Sequence, residues 1–172
     1  MGEIIFVLGG TRSGKSEYAE ELAIQANNKV AYIATCICSD KEMESRIDIH
    51  KKRRPVEWTT FEEPRNIANL VPTLNKEFNT ALIDCLTIYT SNLMFDNLNK
   101  ENILTNIKEL LTALQSSNCK SIIVSNEVGL GIVPESAMGR EFRDIAGEVN
   151  KLVASQADTV FFVVSGIPMK IK

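Results

Sequence analysis

Short runs of apolar residues recur along this chain, separated by segments in which apolar and polar positions follow a helical period. The runs contain many β-branched residues and cover Ile4–Leu8, Val30–Ala34, Ala81–Ile83, Ser121–Val124 and Thr159–Val164. They are too short for helices and show no strict alternation, which is typical of strands buried on both faces of a sheet. The pattern therefore predicts at least five strands in an interior sheet.

The segments between these runs carry apolar residues three and four positions apart, which indicates amphipathic helices. The clearest sets are Ala19, Leu22, Ala23 and Ala26; Ile103, Ile107, Leu110, Leu111 and Leu114; and Phe142, Ile145, Ala146, Val149, Leu152 and Val153. Strands that alternate with helices predict an α/β fold, with a mostly parallel sheet covered by helices on both faces. At 172 residues, we expect one domain over residues 1–172.

The turn after the first predicted strand carries the pattern G-x-x-x-x-G-K-[ST], from Gly9 to Ser16. Glycines allow the backbone to curl so that its N–H groups face phosphate oxygens, and the following helix presents its positive end. Lys15 would reach the outer phosphates and the Ser16 hydroxyl would bind Mg²⁺. A strand before the motif and a helix after it are the context that the motif requires. The sequence therefore predicts a nucleoside triphosphate site in a P-loop NTPase-type, RecA-like domain.

Two further residues near this loop have two interpretations each. Asp84 ends the predicted strand Ala81–Ile83, where a carboxylate can hold Mg²⁺; it could instead cap a helix that begins near Cys85. Arg12, inside the loop, could contact phosphate or be solvated.

Composition narrows the function classes. The net charge of −3 disfavours a nucleic-acid-binding face, and no apolar run approaches the 18 residues of a membrane helix. The first residues lead into a strand without the features of a signal peptide, so we expect a cytoplasmic protein. The guanine-reading N-K-x-D of switch GTPases is missing, and the chain is short for a motor ATPase. Small-molecule kinases and nucleotidyltransferases remain.

The segment after Val30–Ala34 departs from the strand and helix rhythm. Ser39 to Glu42 form a capping box, which predicts a helix start, and Pro55 predicts that this helix ends near Arg53. His50, the one histidine, lies in this helix and is followed by four basic residues. A histidine beside such a basic run could be an ordinary surface residue. It could also be a nucleophile, because adjacent cations favour the neutral imidazole that attacks phosphorus.

Several strings of the sequence together resemble one enzyme family, the bifunctional adenosylcobinamide kinase and adenosylcobinamide-phosphate guanylyltransferases. The resemblance runs from the P-loop to the last residues, and the string from Asn126 to Glu135 is more specific than the P-loop. It rests on Gly9 to Ser16, Tyr32 to Thr35, Arg46-Ile47, His50-Lys51, Arg54-Pro55, Trp58, Ser125 to Glu135, Phe142 to Gly147 and Val164 to Lys172.

The resemblance implies two reactions in cobalamin biosynthesis. A nucleoside triphosphate, ATP or GTP, phosphorylates the aminopropanol hydroxyl of adenosylcobinamide; GTP then donates GMP to that phosphate through a GMP-histidine, giving adenosylcobinamide-GDP. The position that matches the family's histidine is His50. The residues implied to contact GTP are Gly9, Gly10, Thr11, Arg12, Ser13, Gly14, Lys15, Ser16, Ala34, Thr35, Cys36, Lys51, Lys52, Arg53, Arg54, Glu62 and Asp84, with Ser16 and Asp84 also holding Mg²⁺.

The resemblance further implies a homo-oligomer, a trimer with active sites shared between subunits, that binds a corrinoid and nucleotides. Ile49, Arg53 and Asp84 depart from the family pattern, where a second histidine, a small residue and a glutamate can occur. None of these departures removes a required chemical group. Two alternatives stay open: a monofunctional small-molecule kinase that uses the P-loop alone, and a nucleotide-dependent regulatory protein.

Overall fold

The computed structural model describes residues 2–26, 29–37, 51 and 53–172. The strands are β1 (Ile4–Gly9), β2 (Val30–Ala34), β3 (Thr59–Glu62), β4 (Thr80–Asp84), β5 (Lys120–Asn126), β6 (Thr159–Val164) and β7 (Ile167–Lys170). The helices whose bounds lie within the described residues are α1 (Lys15–Gln25), α2 (Ile67–Leu74), α3 (Leu86–Phe95), α4 (Lys100–Ser116) and α5 (Ala137–Gln156).

The strands form one sheet in the order β3-β2-β4-β5-β1-β6-β7. The first six run parallel to one another, and the edge strand β7 runs antiparallel to β6. The carboxyl ends of the parallel strands therefore meet at one edge, where Gly9 is in register with Asn126 and Ala34 with Asp84. Open α/β sheets bind their ligands at this edge.

Each face of the sheet has its own apolar core, and the alternation within β1 explains why. Ile4, Phe6 and Leu8 face a large cluster that includes the buried residues of α2, α3, α4 and α5. Ile5 and Val7 face a smaller cluster that α1 covers with Ala19 and Ala23. Since both faces are covered, the strand is apolar at every position. The predicted fold class is confirmed.

The five predicted strands and the three predicted helical segments around α1, α4 and α5 are all present. The sequence pattern did not predict β3, β7, α2 or α3. Most of the helix predicted from Ser39 lies outside the described residues, but Arg53 is helical and Arg54 is not, in agreement with the predicted end. No helix in the described part of the chain is long and apolar enough to cross a membrane.

Candidate active site

Backbone hydrogen bonds fix the shape of the loop between β1 and α1. The Ser13 N–H donates to the Gly10 carbonyl oxygen at 3.2 Å, and the Gly166 N–H, from the turn after β6, donates to the Ser13 carbonyl oxygen at 2.8 Å. Arg12 has φ 59° and Gly14 has φ 91°, so the loop passes twice through the left-handed region. Helix α1 begins directly after Gly14, so the N–H groups of its first turn and its positive end lie at the loop.

Two glycines of the motif are required by close approaches. A Cβ at Gly9 would lie 2.6 Å from the Val163 carbonyl oxygen, and one at Gly14 would lie 3.2 Å from Gly166 Cα. Real Cβ atoms do not tolerate the first distance, and the second adds crowding to a backbone angle that favours glycine. The loop therefore needs both glycines for its shape.

Lys15, the first residue of α1, has its side chain folded back over the loop. Its Nζ donates to the Gly10 carbonyl oxygen at 3.2 Å, and only 9% of the residue is exposed. Burial lowers the pKa of Lys15, and the negative charge of Asp84 is among the nearby charges that oppose this shift. Lys15 and Asp84 therefore lie within electrostatic range of each other.

Asp84 is the last residue of β4, and its Oδ2 accepts a hydrogen bond of 2.8 Å from the Tyr32 hydroxyl. The N-cap of α3 is Cys85, so Asp84 is not at the position that caps this helix. Ser16 lies half-buried in the first turn of α1. A hydroxyl and a carboxylate are oxygen donors of the kind that Mg²⁺ takes alongside phosphate oxygens and water. Among the described residues, no group of three or more histidine, cysteine or acidic side chains could hold a metal ion by itself.

The residues after β2 run along the same edge, beside Asp84. The Thr35 N–H donates to the Asp84 carbonyl oxygen at 3.2 Å, and Thr35 Oγ1 is hydrogen-bonded to both the N–H and the carbonyl oxygen of Cys85 at 2.8 Å. Asn92 of α3 donates to the Thr35 carbonyl oxygen at 2.8 Å. Ala34 and Cys36, on either side of Thr35, are half-buried, so this segment is held firmly next to β4.

Glu62 ends β3, in register with Ala34 of β2. Its Oε1 lies 3.5 Å from Lys51 Nζ, and the two side chains are 71% and 50% exposed. An ion pair this exposed stabilises a protein by at most about 1 kcal/mol, so both groups are available to a ligand at little cost.

Arg54 is held over the ring of Tyr32, with its guanidinium carbon 3.4 Å from the ring centroid. Trp58 stacks on the same ring, with centroids 6.4 Å apart, and Arg54 Nη1 donates to Thr60 Oγ1 at 3.2 Å. A cation above an aromatic face is attracted by the ring quadrupole. Tyr32 thus contacts Asp84 through its hydroxyl and Arg54 through its ring.

Arg53 is directed elsewhere, towards helix α1. Its Nη1 donates to Glu17 Oε1 at 2.8 Å and its Nη2 to Glu20 Oε2 at 2.7 Å. The Arg53 side chain is 32% exposed and that of Glu20 only 9%.

The remaining predicted site residues are not all described. Thr11 and Arg12 lie exposed at the tip of the loop. His50, the predicted nucleophile, and Lys52, a predicted GTP contact, lie outside the described residues. Their roles stay predictions.

Sequence reasoning assigned no role to Tyr32, Glu17 or Glu20. Tyr32 stands two residues before Ala34 in β2, so strand alternation places both residues on one face of the sheet. This alternation could have predicted that Tyr32 lies near the candidate site. Glu17 and Glu20 are one turn apart on α1. No sequence signal indicated that they pair with Arg53, which is 36 residues from Glu17 and 33 residues from Glu20.

A P-loop at the carboxyl edge of a mostly parallel, helix-covered sheet defines the class of P-loop NTPases with a RecA-like fold. Two solved structures agree: the RadB recombinase, with TM-score 0.56 and 14% identity over 94% of this chain and 74% of that chain, and a KaiC-like protein from Pyrococcus horikoshii, with TM-score 0.52 and 13% identity over 94% of this chain and 70% of that one. At these identities the likeness concerns the fold alone.

Within this class, the chain belongs to the CobU family, described as cobinamide kinase / cobinamide phosphate guanyltransferase, whose family model matches residues 5–171. The bifunctional adenosylcobalamin biosynthesis protein CobU of Escherichia coli is 41% identical over 98% of this chain and 99% of its own length. The CobU protein of Salmonella typhimurium is 43% identical over 98% and 99%, and the CobP protein of Pseudomonas aeruginosa is 39% identical over 96% and 95%. The family predicted from the sequence strings is confirmed.

Proposed function

We propose that this chain carries out both reactions of its family: phosphorylation of the aminopropanol hydroxyl of adenosylcobinamide, and transfer of GMP from GTP to the resulting phosphate. The observation that carries the proposal is the family match over residues 5–171, which includes the P-loop, the basic segment and the C-terminal half. ATP or GTP serves as phosphoryl donor, and the product of the second step is adenosylcobinamide-GDP.

In the second reaction, His50 attacks the α-phosphorus of GTP. A bond forms between an imidazole nitrogen and this phosphorus while the bond to the bridging oxygen of the β-phosphate breaks, so pyrophosphate leaves. A phosphate oxygen of adenosylcobinamide phosphate then attacks the same phosphorus, and the phosphorus–nitrogen bond breaks to regenerate the imidazole. GMP is thus transferred in two steps, each with a lower activation barrier than one direct transfer.

The P-loop stabilises the negative charge that develops in both reactions. Its backbone N–H groups and Lys15 face the β- and γ-phosphates, and preorganised donors of this kind lower the energy of a charged transition state. Ser16 and Asp84 are the side chains of this chain that would hold Mg²⁺ beside the phosphates. The ion would supply a positive charge that neutralises phosphate oxygens.

GTP extends from the P-loop along the carboxyl edge of the sheet. Ala34, Thr35 and Cys36 follow β2 beside Asp84, where they would contact the nucleotide. Glu62 lies one strand further out and would accept hydrogen bonds from the N–H groups of the guanine edge, with Lys51 nearby to neutralise it. Lys52, Arg53 and Arg54 complete the basic segment that the resemblance connects with GTP.

The oligomer predicted from the resemblance, a trimer, is part of the proposal. Ile167 and Ile171, on and after the edge strand β7, are 65% and 61% exposed, and apolar side chains at an unpaired strand edge favour contact with another subunit. Light scattering after size-exclusion chromatography should give three times the chain mass of 19.1 kDa. A monomer at micromolar concentration would contradict a trimer.

The chemical step is tested with two labels in parallel. Incubation with GTP labelled on the α-phosphorus should give an acid-labile, alkali-stable label on the protein, and incubation of adenosylcobinamide with γ-labelled ATP or GTP should label the corrinoid. His50→Ala should lose the protein label and keep the kinase reaction. Lys15→Ala should lose both, because both reactions use the phosphate loop.

The outcomes separate the alternatives. Corrinoid phosphorylation without any protein-bound GMP identifies a monofunctional kinase, and equal protein labelling after His50→Ala excludes His50 as nucleophile. Nucleotide-dependent binding of a protein partner, with turnover of no corrinoid, identifies a regulatory protein.

A further inference from the structure

The ion pairs of Arg53 connect two parts of the chain that the sheet topology leaves apart. Arg53 lies in the basic segment before β3, whereas Glu17 and Glu20 lie on the first two turns of the P-loop helix α1. Each of its two terminal nitrogens donates to a different carboxylate, at 2.8 and 2.7 Å. Such charge-assisted bonds are the strongest class of side-chain hydrogen bonds and fix the orientation of the planar guanidinium.

The charge around Arg53 argues against a direct role in holding phosphate. The guanidinium of Arg53 faces two carboxylates, so its positive charge is already compensated within the protein. The pKa of Arg53 lies above its usual value: burial would lower it, but the hydrogen bond and charge of Glu20 and then of Glu17 outweigh that effect. A cation neutralised in this way attracts a triphosphate weakly.

Arg53 lies close in the chain to His50, the proposed nucleophile. His50 precedes Arg53 by three residues, and three residues span at most about 11 Å even when fully extended. Lys15 precedes Glu17 by two residues on α1. An anchor between Arg53 and α1 therefore limits how far His50 can lie from the helix whose N-terminus faces the phosphates.

We propose that Arg53 is a positioning residue for guanylyl transfer: its ion pairs with Glu17 and Glu20 fasten the chain just after His50 to the P-loop helix. This inference rests on the proposed function, and it gives Arg53 a role that acts through His50 in place of a contact with GTP. Misplacement of a reacting group by about 1 Å can cost a hundredfold in rate, so the anchor matters for the attack on the α-phosphorus.

The test compares Arg53→Met in two backgrounds, the wild type and Glu17→Gln/Glu20→Gln, in which the carboxylates have lost their charge. In the wild type, Arg53→Met should slow the formation of protein-bound GMP at saturating GTP by about ten- to a hundredfold, with the KM for GTP changed less than about threefold. In the Glu17→Gln/Glu20→Gln background the same substitution should slow the reaction much less, because the ion pairs are already lost and only neutral amide contacts remain.

Four controls make the result specific. Corrinoid phosphorylation should change less than about threefold in every variant, since it does not use His50. Arg53→Lys keeps one charged contact and should recover part of the rate. Lys100→Met removes a comparable interhelical ion pair, with Glu148 at 2.8 Å, and should leave protein-bound GMP formation unchanged. Thermal unfolding of each variant shows that it is folded at the assay temperature.

Five results would overturn the inference. A higher KM for GTP with an unchanged saturating rate would show that Arg53 binds GTP directly. An equal rate loss in both backgrounds would show that Arg53 acts without Glu17 and Glu20. Equal losses of both activities with a lower unfolding temperature would show a structural role alone. Undiminished labelling of Arg53→Met beside a labelled wild type overturns only this inference, whereas an unlabelled wild type overturns the proposed function as well.

Discussion

Replacing Tyr32 by phenylalanine removes one hydroxyl group from the carboxyl edge of the sheet and leaves the ring in place. Tyr32 is 2% exposed, and its ring is in contact with Arg54 and with Trp58, which stacks against it. The hydroxyl donates to Asp84 Oδ2 at 2.8 Å. Burial and the negative charge of Asp84 raise the pKa of Tyr32, so the hydroxyl keeps its proton and remains a donor across the working pH range.

The cost of this change follows from the charge of the acceptor. A hydrogen bond to a charged group contributes about 1.5–3 kcal/mol to the free energy of unfolding, more than one between neutral groups. A chain of this length loses about 2–4 °C of unfolding temperature per kcal/mol. Tyr32→Phe should therefore lower the unfolding temperature by roughly 3–12 °C, measured by differential scanning calorimetry in the absence of nucleotide.

The same hydrogen bond should affect Mg²⁺ dependence, because Asp84 is the carboxylate proposed to hold the ion. Loss of a group that orients a metal ligand typically costs ten- to a hundredfold in metal affinity or activity. The Mg²⁺ concentration that gives half-maximal corrinoid phosphorylation should rise by about this factor in Tyr32→Phe.

Tyr89→Phe is the matched control. Tyr89 is fully buried on the other face of the sheet, and its hydroxyl donates to the Arg65 carbonyl oxygen at 2.9 Å. It should lose stability while its Mg²⁺ dependence stays that of the wild type. An unchanged Mg²⁺ dependence in Tyr32→Phe, or an equal shift in both variants, would refute the assignment of Tyr32 as the group that orients Asp84.

Two further predictions concern the phosphate loop and its neighbour. Gly14→Ala places a side chain on a backbone with φ 91°, 3.2 Å from Gly166 Cα, and should lower the free energy of unfolding by about 1–3 kcal/mol. Gly147→Ala, in open space within α5, should raise it by about 0.5–1 kcal/mol. Chemical denaturation measures both free energies, and equal effects of the two substitutions would contradict backbone strain at Gly14. Burial raises the pKa of Cys85 from 9.0 to about 12, which lowers the fraction of reactive thiolate. Its alkylation by iodoacetamide at pH 8, measured by mass spectrometry, should therefore be about a thousandfold slower in the folded protein than in urea. Equal rates would contradict the raised pKa.

The strands that the sequence predicted are those buried on both faces, because burial leaves a continuous apolar run. The edge strands leave no such mark: every residue of β7 is exposed, and β3 has only Phe61 half-buried. Helix α2 contains Pro72, which normally marks a helix end, and α3 has apolar residues all around its axis and so lacks a helical period. These elements depend on tertiary contacts that no local pattern carries.

Parts of the candidate site could also be predicted from the sequence, whereas others could not. The P-loop could be predicted because its residues are consecutive, and the position of Asp84 because it follows a recognisable strand. The hydrogen bond from Tyr32 to Asp84 joins residues 52 positions apart, and the bond from Arg53 to Glu17 joins residues 36 apart. Pairs of this kind follow from strand order and helix packing, so they become visible only in the folded chain.

The strand order also explains what the proposed anchor of the basic segment would do. Strands lie about 4.8 Å apart, and β2 is three strands from β1, so the connection between β2 and β3 leaves the sheet about 14 Å from the end of β1, where the P-loop begins. Helix α1 packs against β1, β5 and β4 and thus crosses most of this distance. Arg53 reaches back onto α1 from the other side, through Glu17 and Glu20. The P-loop and the β2–β3 connection thus leave the sheet at distant strands. The proposed nucleophile, His50 of this connection, would approach the α-phosphorus only if this contact, or one equivalent to it, brings the two segments together.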